Sequence, residues 1–301
     1  MLWDCPVCDA ATRRVFAVRS GYHIRECLRC THRFAELEPS ASHVASTYGD
    51  DYFFGGGAGY PDYMQEENVL RAHGRRYGRL LAQFIPGDRA RILDVGGACG
   101  FIADGFRAEG WSPQLLEPNA RMAAYGRDRL GLETHNGTLA DLNPESPFDA
   151  ISMIQVIAHL PEIRVTLRKA AELTRDGGLW LIETWNSRSV TARVFGKYWH
   201  EYNPPSVLHF FSARSLREML RQFGFVHLAS GHPRKNIQWH HARALLTHQV
   251  PTRWMESLTG IIPDDAVLPY PAEDLMWSVF QKTSSDAPAS SARHKIEGAL
   301  R

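Results

Sequence analysis

After residue 90, short apolar runs alternate with amphipathic segments along most of the chain. Apolar runs bounded by turn residues predict buried strands, and apolar residues recurring every three or four positions predict helices. The predicted strands are 91–95, 113–117, a short one near 132–135, 148–154, 178–184, 225–230 and 275–282. The predicted helices are 100–109, 119–130, 162–175 and 212–223. This alternation predicts an α/β fold with helices on both faces of a mostly parallel sheet and a ligand site at the carboxyl ends of its strands.

The segment before residue 90 follows a different pattern. Residues 64–85 carry apolar side chains at helical spacing and predict one amphipathic helix, which Pro86-Gly87-Asp88 ends. Residues 35–63 read as irregular, with aromatic residues around the run Gly55-Gly56-Gly57. Such a segment fits a mobile lid over a ligand, and it fits equally well ordinary packing between two parts of the molecule.

Length, composition and charge narrow the classes of protein. The 301 residues, 44% of them hydrophobic, are enough for a full core and a small accessory module. There is no apolar run of about 18 residues, and the first residues lack the features of a signal peptide, so we expect a soluble, cytoplasmic protein without a membrane partner. The net charge of +1 argues against a nucleic-acid partner.

Four of the five cysteines form two Cys-x2-Cys pairs near the N-terminus. Eighteen residues separate Cys5 and Cys8 from Cys27 and Cys30, a spacing typical of zinc ribbons. Two such knuckles supply four thiolates to one tetrahedral Zn²⁺. The segment between them alternates and turns at Ser20-Gly21, which predicts a small hairpin held by the metal. The competing interpretation is four unrelated thiols.

The charge of this predicted ribbon does not favour binding to RNA or DNA. Residues 1–33 hold six arginines and three acidic residues, a balance of +3. Zn²⁺ bound by four thiolates subtracts two charges and leaves about +1. That is a weak phosphate-binding surface, so a structural or acceptor-positioning role is favoured.

Residues 91–100, Arg-Ile-Leu-Asp-Val-Gly-Gly-Ala-Cys-Gly, pass from a predicted strand into a Gly-rich turn. Glu117 closes the next apolar run, so a carboxylate and the turn meet at neighbouring strand ends, as in nucleoside sites. The NAD fingerprint G-x-G-x-x-G does not fit, because Phe101 stands at its last position. A Gly-rich turn without a ligand is the competing interpretation.

The spacing D-x-G-x-[GA]-x-G resembles motif I of the class I S-adenosylmethionine (SAM) methyltransferases, in particular the methyltransferase-23-like group with an N-terminal cysteine ribbon. Further blocks resemble the same group. They are Leu-Glu-Pro-Asn (116–119), Phe-Asp-Ala-Ile (148–151), His159-Leu160, Leu173-x3-Gly177-Gly178 and Trp199-x5-Pro205-x3-His209-x-Phe211-Ser212. The resemblance implies a Rossmann-like methyltransferase sheet and a methyl acceptor that is a small molecule, such as a sugar or natural-product intermediate.

The cysteine pairs, the apolar pattern, the composition and the resemblance together predict a zinc ribbon at 1–34, an aromatic lid or linker and helix at 35–88, a methyltransferase domain at 89–283 with acceptor-side insertions at 185–211 and 232–274, and a disordered tail at 284–301. The resemblance also assigns the donor site. SAM would lie against a set of strand-end residues: Asp94, Gly96, Ala98, Gly100, Glu117, Asn119, Thr138, Leu139 and Gln155. Glu117 would accept hydrogen bonds from both ribose hydroxyls.

Transfer of a methyl group to a hydroxyl or amine releases a proton, which a histidine near neutral pKa can take. His159 follows the fourth predicted strand directly, and His209 lies in the 185–211 insertion. We expect the segment Trp199–Phe211 to fold over the methyl-donor mouth, with its rings excluding water. The competing interpretation for each histidine is a purely structural hydrogen-bonding role, which is the more frequent one for a single histidine.

Three other classes stay open on the sequence. A ribosomal-RNA-type methyltransferase would use the ribbon as an RNA grip, but Asn203-Pro204-Pro205-Ser206 lacks the aromatic residue that stacks on a base. An NAD(P) oxidoreductase is disfavoured by the broken glycine fingerprint. A non-catalytic SAM-binding scaffold would keep the fold without an acceptor site.

Overall fold

The structure is a computed structural model, and it describes residues 3–38, 43–54, 63–85, 90–238, 267–271 and 273–283. The N-terminal part consists of five short strands: β1 (Trp3–Asp4), β2 (Ala11–Thr12), β3 (Val15–Arg19), β4 (Tyr22–Glu26) and β5 (Arg33–Ala35). The β3–β4 hairpin turns at Ser20 and Gly21, as predicted. Both residues have positive φ, 50° and 81°, which matches the twist of a two-residue hairpin turn.

Three α-helices precede the main sheet within 43–54 and 63–85, the parts of this segment that the structure describes. They are α1 (His43–Thr47), α2 (Asp50–Phe54) and α3 (Glu67–Ala82). The first two lie in the segment that is predicted to be irregular. The two aspartates in the first turn of α2 stabilise it, because their negative charges lie at the positive end of the helix dipole. The predicted helix over 64–85 is α3 with a turn of 3₁₀ helix before it. The run Gly55-Gly56-Gly57 lies outside the described residues.

In the rest of the described chain every predicted strand and helix is present, together with one helix at 190–195 and three strands at 209–210, 234–238 and 267–271 that the sequence did not predict. The strands are β6 (Arg91–Val95), β7 (Ser112–Glu117), β8 (Glu133–Asn136), β9 (Phe148–Ile154), β10 (Thr174–Trp185), β11 (His209–Phe210), β12 (Phe225–Gly231), β13 (Arg234–Gln238), β14 (Val267–Pro271) and β15 (Leu275–Lys282). The helices are α4 (Phe101–Arg107), α5 (Ala120–Asp128), α6 (Ile163–Glu172), α7 (Val190–Phe195) and α8 (Ala213–Arg221). The predicted tail 284–301 and most of the 232–274 insertion lie outside the described residues.

Among the described residues, seven strands form one sheet in the order β12-β15-β10-β9-β6-β7-β8. The strands from β8 to β10 pair in parallel, and β15 runs antiparallel to both of its neighbours, β10 and β12. Strand β10 begins at Thr174, four residues earlier than the predicted start at residue 178. Thr174 already pairs with Phe148, and an irregularity in the pairing follows up to Leu179. Apolar clusters cover both faces of the sheet, so the ends of its parallel strands are left for a ligand.

Helices α3 and α4 touch backbone to backbone at two glycines. A Cβ atom on Gly74 would lie 2.2 Å from the carbonyl oxygen of Ile102, and one on Gly105 would lie 2.5 Å from that of Arg71. Neither position has room for a side chain. The contact fixes α3, with His73 and Tyr77, above the strand ends.

The N-terminal strands do not stand apart from the main domain. Strand β11 extends their sheet, which has the order β11-β5-β4-β3, and Cys5, Cys27 and Cys30 share one buried cluster with Phe211 and Phe225 of the main domain. The predicted boundary at residue 34 falls inside β5, whose free edge is taken by a strand of the 185–211 insertion.

Candidate active site

Two adjoining cavities open at the carboxyl ends of β6, β7 and β9. The larger has a volume of about 700 Å³ and the smaller about 380 Å³. Tyr63, Gly96 and Gln155 line both. Together the two cavities form the position at which a doubly wound sheet binds its ligand.

The Gly-rich turn brings bare backbone to the cavity wall. Gly96, Ala98 and Gly100 all have positive φ, at 63°, 51° and 89°. A Cβ on Gly96 would lie 2.8 Å from Val156 Cγ2, so a side chain there would also intrude on the wall. Gly96 and Ala98 line the larger cavity. Gly100 lies behind the turn, where it caps α4.

Glu117 joins the turn to the next strand end. Its Oε2 accepts a hydrogen bond from the Ala98 N–H at 2.9 Å, and its Oε1 accepts one from the Asn119 N–H at 2.8 Å. Burial raises the pKa of the Glu117 carboxyl to about 7. The side chain lines the larger cavity, as a ribose-binding residue must.

Asn119 has a different place from the one expected. Its Oδ1 caps α5 by accepting from the Met122 N–H, and its Nδ2 donates to Asp50 Oδ1 at 3.1 Å and to the Tyr48 carbonyl oxygen at 3.3 Å. The side chain is 9% exposed and does not line either cavity. Its contacts tie α5 to the chain around α2.

Asp94 lines the smaller cavity and is fully buried. Its Oδ1 accepts a hydrogen bond from the Ser152 hydroxyl at 2.6 Å, and its Oδ2 has no hydrogen-bond partner among the described residues. Burial raises the pKa of this carboxyl to about 7. A buried, unpartnered carboxylate oxygen calls for a polar or cationic ligand group beside it.

The other predicted donor residues also lie on the walls. Thr138 and Leu139 line the larger cavity opposite the turn, where the Thr138 N–H and hydroxyl both donate to Asp141 Oδ2 at 2.8 Å. Gln155 lies between the cavities, and its Nε2 donates to Glu183 Oε1 at 3.2 Å. The structure therefore brings seven of the nine predicted donor residues to the cavity walls and leaves Gly100 and Asn119 behind them.

His159 lines the larger cavity with a defined tautomer. Its Nδ1 lies 2.8 Å from the Ser206 carbonyl oxygen and 2.9 Å from the Tyr48 hydroxyl, which itself donates to Ser206 at 2.7 Å. A carbonyl can only accept, so Nδ1 carries the proton and Nε2 keeps its lone pair. Burial lowers the pKa of His159, which keeps the ring neutral at pH 7.

His209 lies elsewhere. The ring is buried, its Nε2–H donates to the Leu160 carbonyl oxygen at 3.0 Å, and its Nδ1 lies 3.4 Å from His32 Nε2. Burial lowers the pKa of His209 to about 4. The side chain lines neither cavity and both nitrogens are engaged, so its geometry does not suit the transfer of a substrate proton.

The aromatic segment around His209 also differs from its predicted position. Trp199, Tyr202 and Phe210 pack in one cluster with Ala17 and Ile24 of the ribbon hairpin. They line neither cavity. The rings bury the contact between ribbon and insertion instead of covering the cavities, because the hairpin offers an apolar face to them.

Two sets of residues at the site were not predicted from the sequence. Tyr48 was visible only as one aromatic residue among several, and Ser206 acts through its backbone. Glu183 is fully buried and accepts from Gln155, while His73 Nε2 lies 3.1 Å from its Oε2 and the Tyr77 hydroxyl donates to the same oxygen. The sequence signal that could have identified Glu183 is a carboxylate at the end of an apolar strand, the same signal as at Glu117.

The four ribbon cysteines converge on one point. Their sulfur atoms all lie within 4.8 Å of one another, with Cys5 and Cys30 at 3.5 Å and Cys8 and Cys27 at 3.6 Å. Tetrahedral Zn–S bonds of about 2.3 Å would place sulfurs about 3.8 Å apart. The thiols therefore fit one structural Zn²⁺, in agreement with the sequence prediction.

Comparison with known proteins agrees with this geometry. The family model described as a methyltransferase domain matches residues 66–230, which is more than half of the chain. The chain belongs to this methyltransferase family. Its predicted membership of the class I SAM-dependent methyltransferases is confirmed, and so is the Rossmann-like fold.

Curated relatives carry a more specific name. Ubiquinone biosynthesis O-methyltransferase of Rhodopseudomonas palustris (strain BisB18) is 25% identical over 101 residues, 32% of this chain and 40% of the relative. The same enzyme of Caulobacter sp. (strain K31) is 27% identical over 147 residues, 46% of this chain and 56% of the relative. The matches thus span about half of the length of these relatives.

A solved structure covers more of the methyltransferase. The 1,6-didemethyltoxoflavin-N1-methyltransferase of Burkholderia thailandensis, with its substrate and S-adenosylhomocysteine bound, superposes with a TM-score of 0.51 at 16% identity, over 90% of this chain and all of that one. At this identity the likeness concerns the fold. Among the described helices, none combines the length and hydropathy that a membrane crossing requires.

Proposed function

We propose that the protein transfers the methyl group of SAM to a hydroxyl oxygen of a small molecule that has an apolar, ring-containing body. The observation that carries this proposal is the neutral His159 at the wall of the larger cavity, with its Nδ1 proton held by Ser206 and Nε2 left as an acceptor. A fixed, neutral imidazole is the group that takes a proton from a reacting hydroxyl.

The donor would occupy the wall shared by the two cavities. Glu117 has lone pairs left beyond its two backbone partners, so its carboxylate can also accept the ribose hydroxyls. Thr138 and Leu139 would flank the adenine. The methionyl end would reach the smaller cavity, where the free oxygen of Asp94 and the amide of Gln155 lie.

The charges of the smaller cavity support this orientation. Its walls include two fully buried carboxylates, Asp94 and Glu183, together with Arg76. The methionyl end of SAM carries an ammonium and a carboxylate, so it can present a cation to the acidic residues and an anion to the arginine. We infer that Glu183 belongs to the donor site.

The chemistry of the step follows from these positions. SAM supplies a methyl group already activated on a sulfonium. The acceptor oxygen forms a bond to the methyl carbon, the carbon–sulfur bond breaks with its electron pair going to sulfur, and the hydroxyl proton passes to His159 Nε2. The enzyme contributes orientation and exclusion of water, which together lower the barrier by up to about 7–11 kcal/mol.

The acceptor class rests on the lining of the larger cavity and on the relatives. Four aromatic side chains, Tyr48, Tyr52, Phe53 and Tyr63, lie on one side of that cavity. Flat rings stack against such a wall. The name of the curated relatives, an O-methyltransferase of ubiquinone biosynthesis, supports oxygen as the atom methylated.

The test has two stages on the full chain. Calorimetry should show binding of S-adenosylhomocysteine and none of NADH. Mass spectrometry of reactions with hydroxylated ring compounds, matched amine analogues and RNA should then show a gain of one methyl group on the hydroxyl compounds. Methylation of RNA or of amines alone, or tight binding of NADH, would overturn the proposal.

A further inference from the structure

The residues 206–211, called the strap below, lie between the ribbon and the loop that carries His159. On the ribbon side, the Ala35 N–H donates to the Leu208 carbonyl oxygen at 2.9 Å, and His209 and Phe210 pair with Phe34 and Arg33 of β5. The strap thus contains β11, the fourth strand of the ribbon sheet. Its conformation depends on an edge that the ribbon provides.

On its other side the strap holds the loop 157–160. The Leu208 N–H donates to the Ala158 carbonyl oxygen at 2.9 Å, and the His209 side chain donates to the Leu160 carbonyl oxygen at 3.0 Å. The Ser206 carbonyl oxygen accepts from His159 itself. Each of the three residues 158–160 is therefore bonded to the strap.

A buried histidine of the ribbon completes the connection. Because His209 donates through Nε2, its Nδ1 is an acceptor, and the His32 Nε2–H can donate to it across 3.4 Å. His32 is fully buried and packs on Phe211 of the strap, with ring centroids 4.7 Å apart. It follows Cys30 by two residues, so the knuckle that fits the metal also places this ring.

We propose that the metal-held ribbon positions the His159 imidazole through the strap, and that His32 and His209 are positioning residues for methyl transfer. The role of His159 in this inference rests on the proposed function. The ribbon is too small to keep its shape by a core of its own, so metal binding supplies its folding energy. Without the ribbon edge, the strap loses its pairing and the Ser206 carbonyl is no longer fixed at Nδ1.

The same reasoning separates the two halves of the site. Glu117 and the turn around Gly96 are held by β6 and β7 and by their own backbone contacts. None of the described hydrogen bonds of Glu117 reaches the ribbon or the strap. Loss of the metal should therefore disturb His159 and spare the donor site.

The decisive measurement is nuclear magnetic resonance of ¹⁵N-histidine in the full chain, with and without a zinc chelator. We expect the metal-loaded protein to show His159 as the Nδ1–H tautomer. After chelation, we expect the averaged shifts of a mobile imidazole and a pKa nearer to that of free histidine. An unchanged His159 signal in protein that has lost its metal would overturn the proposal.

A second experiment uses variants and does not depend on chelation. His209→Leu removes the donor to Leu160, and His227→Leu changes a histidine on β12 that lies outside the strap. We expect His209→Leu to lower kcat at least about tenfold with the KM for SAM unchanged, and His227→Leu to change neither. His209→Gln, whose amide can still donate, should recover part of the loss and the Nδ1–H signal of His159. Equal kcat values for His209→Leu and the wild type would overturn the proposal.

The two proposals fail in distinguishable ways. If His159→Ala keeps full activity, the base assignment fails, while the tautomer measurement still reports whether the ribbon positions the ring. If His209→Leu does not fold, as circular dichroism would show, the chelation experiment on the wild type decides. An unchanged His159 signal together with unchanged kcat after loss of the metal would contradict the positioning role.

Discussion

The proposed site has two parts that are built in different ways, called below the donor half and the acceptor half after their proposed ligands. The donor half takes Asp94, Gly96, Ala98, Glu117 and Gln155 from the ends of neighbouring parallel strands within one stretch of chain. The acceptor half combines α1–α2, the loop 157–160, the strap and a ribbon. Its contacts join residues far apart in sequence, such as Tyr48 with His159, 111 residues apart, and His32 with His209, 177 residues apart.

This difference has a physical origin. Strand ends of a parallel sheet meet at one edge by topology alone, so the sheet places the donor residues without further contacts. The acceptor residues have no such common frame. They depend on hydrogen bonds to carbonyl groups, at Ser206, Ala158 and Leu160, that the ribbon contact holds in place.

Loss of the proposed base should give the largest effect and should touch the acceptor half alone. His159→Ala should lower turnover about 10²- to 10⁴-fold, because the proton of the acceptor hydroxyl loses its acceptor. Steady-state kinetics and calorimetry on the identified acceptor measure this, with SAM affinity expected to stay unchanged. A weakened SAM affinity would show that the two halves are not separable.

Loss of the ribose-binding carboxylate should give the converse result. Glu117→Ala removes charge-assisted hydrogen bonds and should weaken SAM binding by about 1.5–3 kcal/mol. Calorimetric titration with SAM checks the change, and Glu133→Ala on the neighbouring strand β8 serves as the matched control. The assignment of Glu117 would not survive a variant that binds SAM as tightly as the wild type.

A change of pH should affect donor binding less than the loss of Glu117 does, and it tests whether the Glu117 carboxylate must be ionised. The ribose hydroxyls need the ionised form of Glu117, whose pKa burial raises to about 7, so affinity is full above that pH and falls as the pH drops through it. Between pH 8 and pH 6 the Kd for SAM should rise about tenfold. Asp94, with a pKa raised in the same way, adds to the effect in the same direction.

Glu117→Gln gives the control for that titration. The variant should keep only the part of the pH dependence that Asp94 contributes, because the amide does not ionise. Equal Kd values for the wild type at pH 6 and pH 8 would show that neither carboxylate titrates in the site.

Removal of the ribbon metal should have the smallest effect of all on donor binding. We expect about one Zn²⁺ per chain, lost in Cys27→Ser and retained in Cys99→Ser. Chelation should change the Kd for SAM by less than about twofold, since the strand ends do not depend on the ribbon. Elemental analysis and calorimetry test both statements; a disulfide across the cysteine pairs would contradict the first.

Much of the donor half could be predicted from the sequence, because its residues lie in or next to short motifs that are recognisable by themselves. Motif I and Glu117 lie at the ends of strands whose apolar runs are easily recognised. Most of the predicted bounds of these strands lie within one residue of the observed bounds. The ribbon was equally legible because Cys spacing encodes the metal geometry. Asn119 and Gly100 were placed at the ligand by motif, although their immediate roles are the capping of α5 and α4.

The acceptor half could not be resolved in this way. In sequence, His159 and His209 are both single histidines after predicted strands, and only the fold shows one on a cavity wall and the other bonded on both nitrogens. The rings of Trp199 and Tyr202 illustrate the same limit. The sequence of an apolar segment predicts that it will be buried. It does not predict which surface will cover it, because that surface comes from distant parts of the chain.

The participation of β11 in the ribbon sheet fixes an order of events during synthesis. The ribbon strands β3 to β5 leave the ribosome before the strand that completes their sheet, which is made only after β6 to β10. Domains usually fold as units in the order in which they are made. Here β5 keeps an open edge until β6 to β10 and then β11 have emerged, and an open strand edge can pair with another chain.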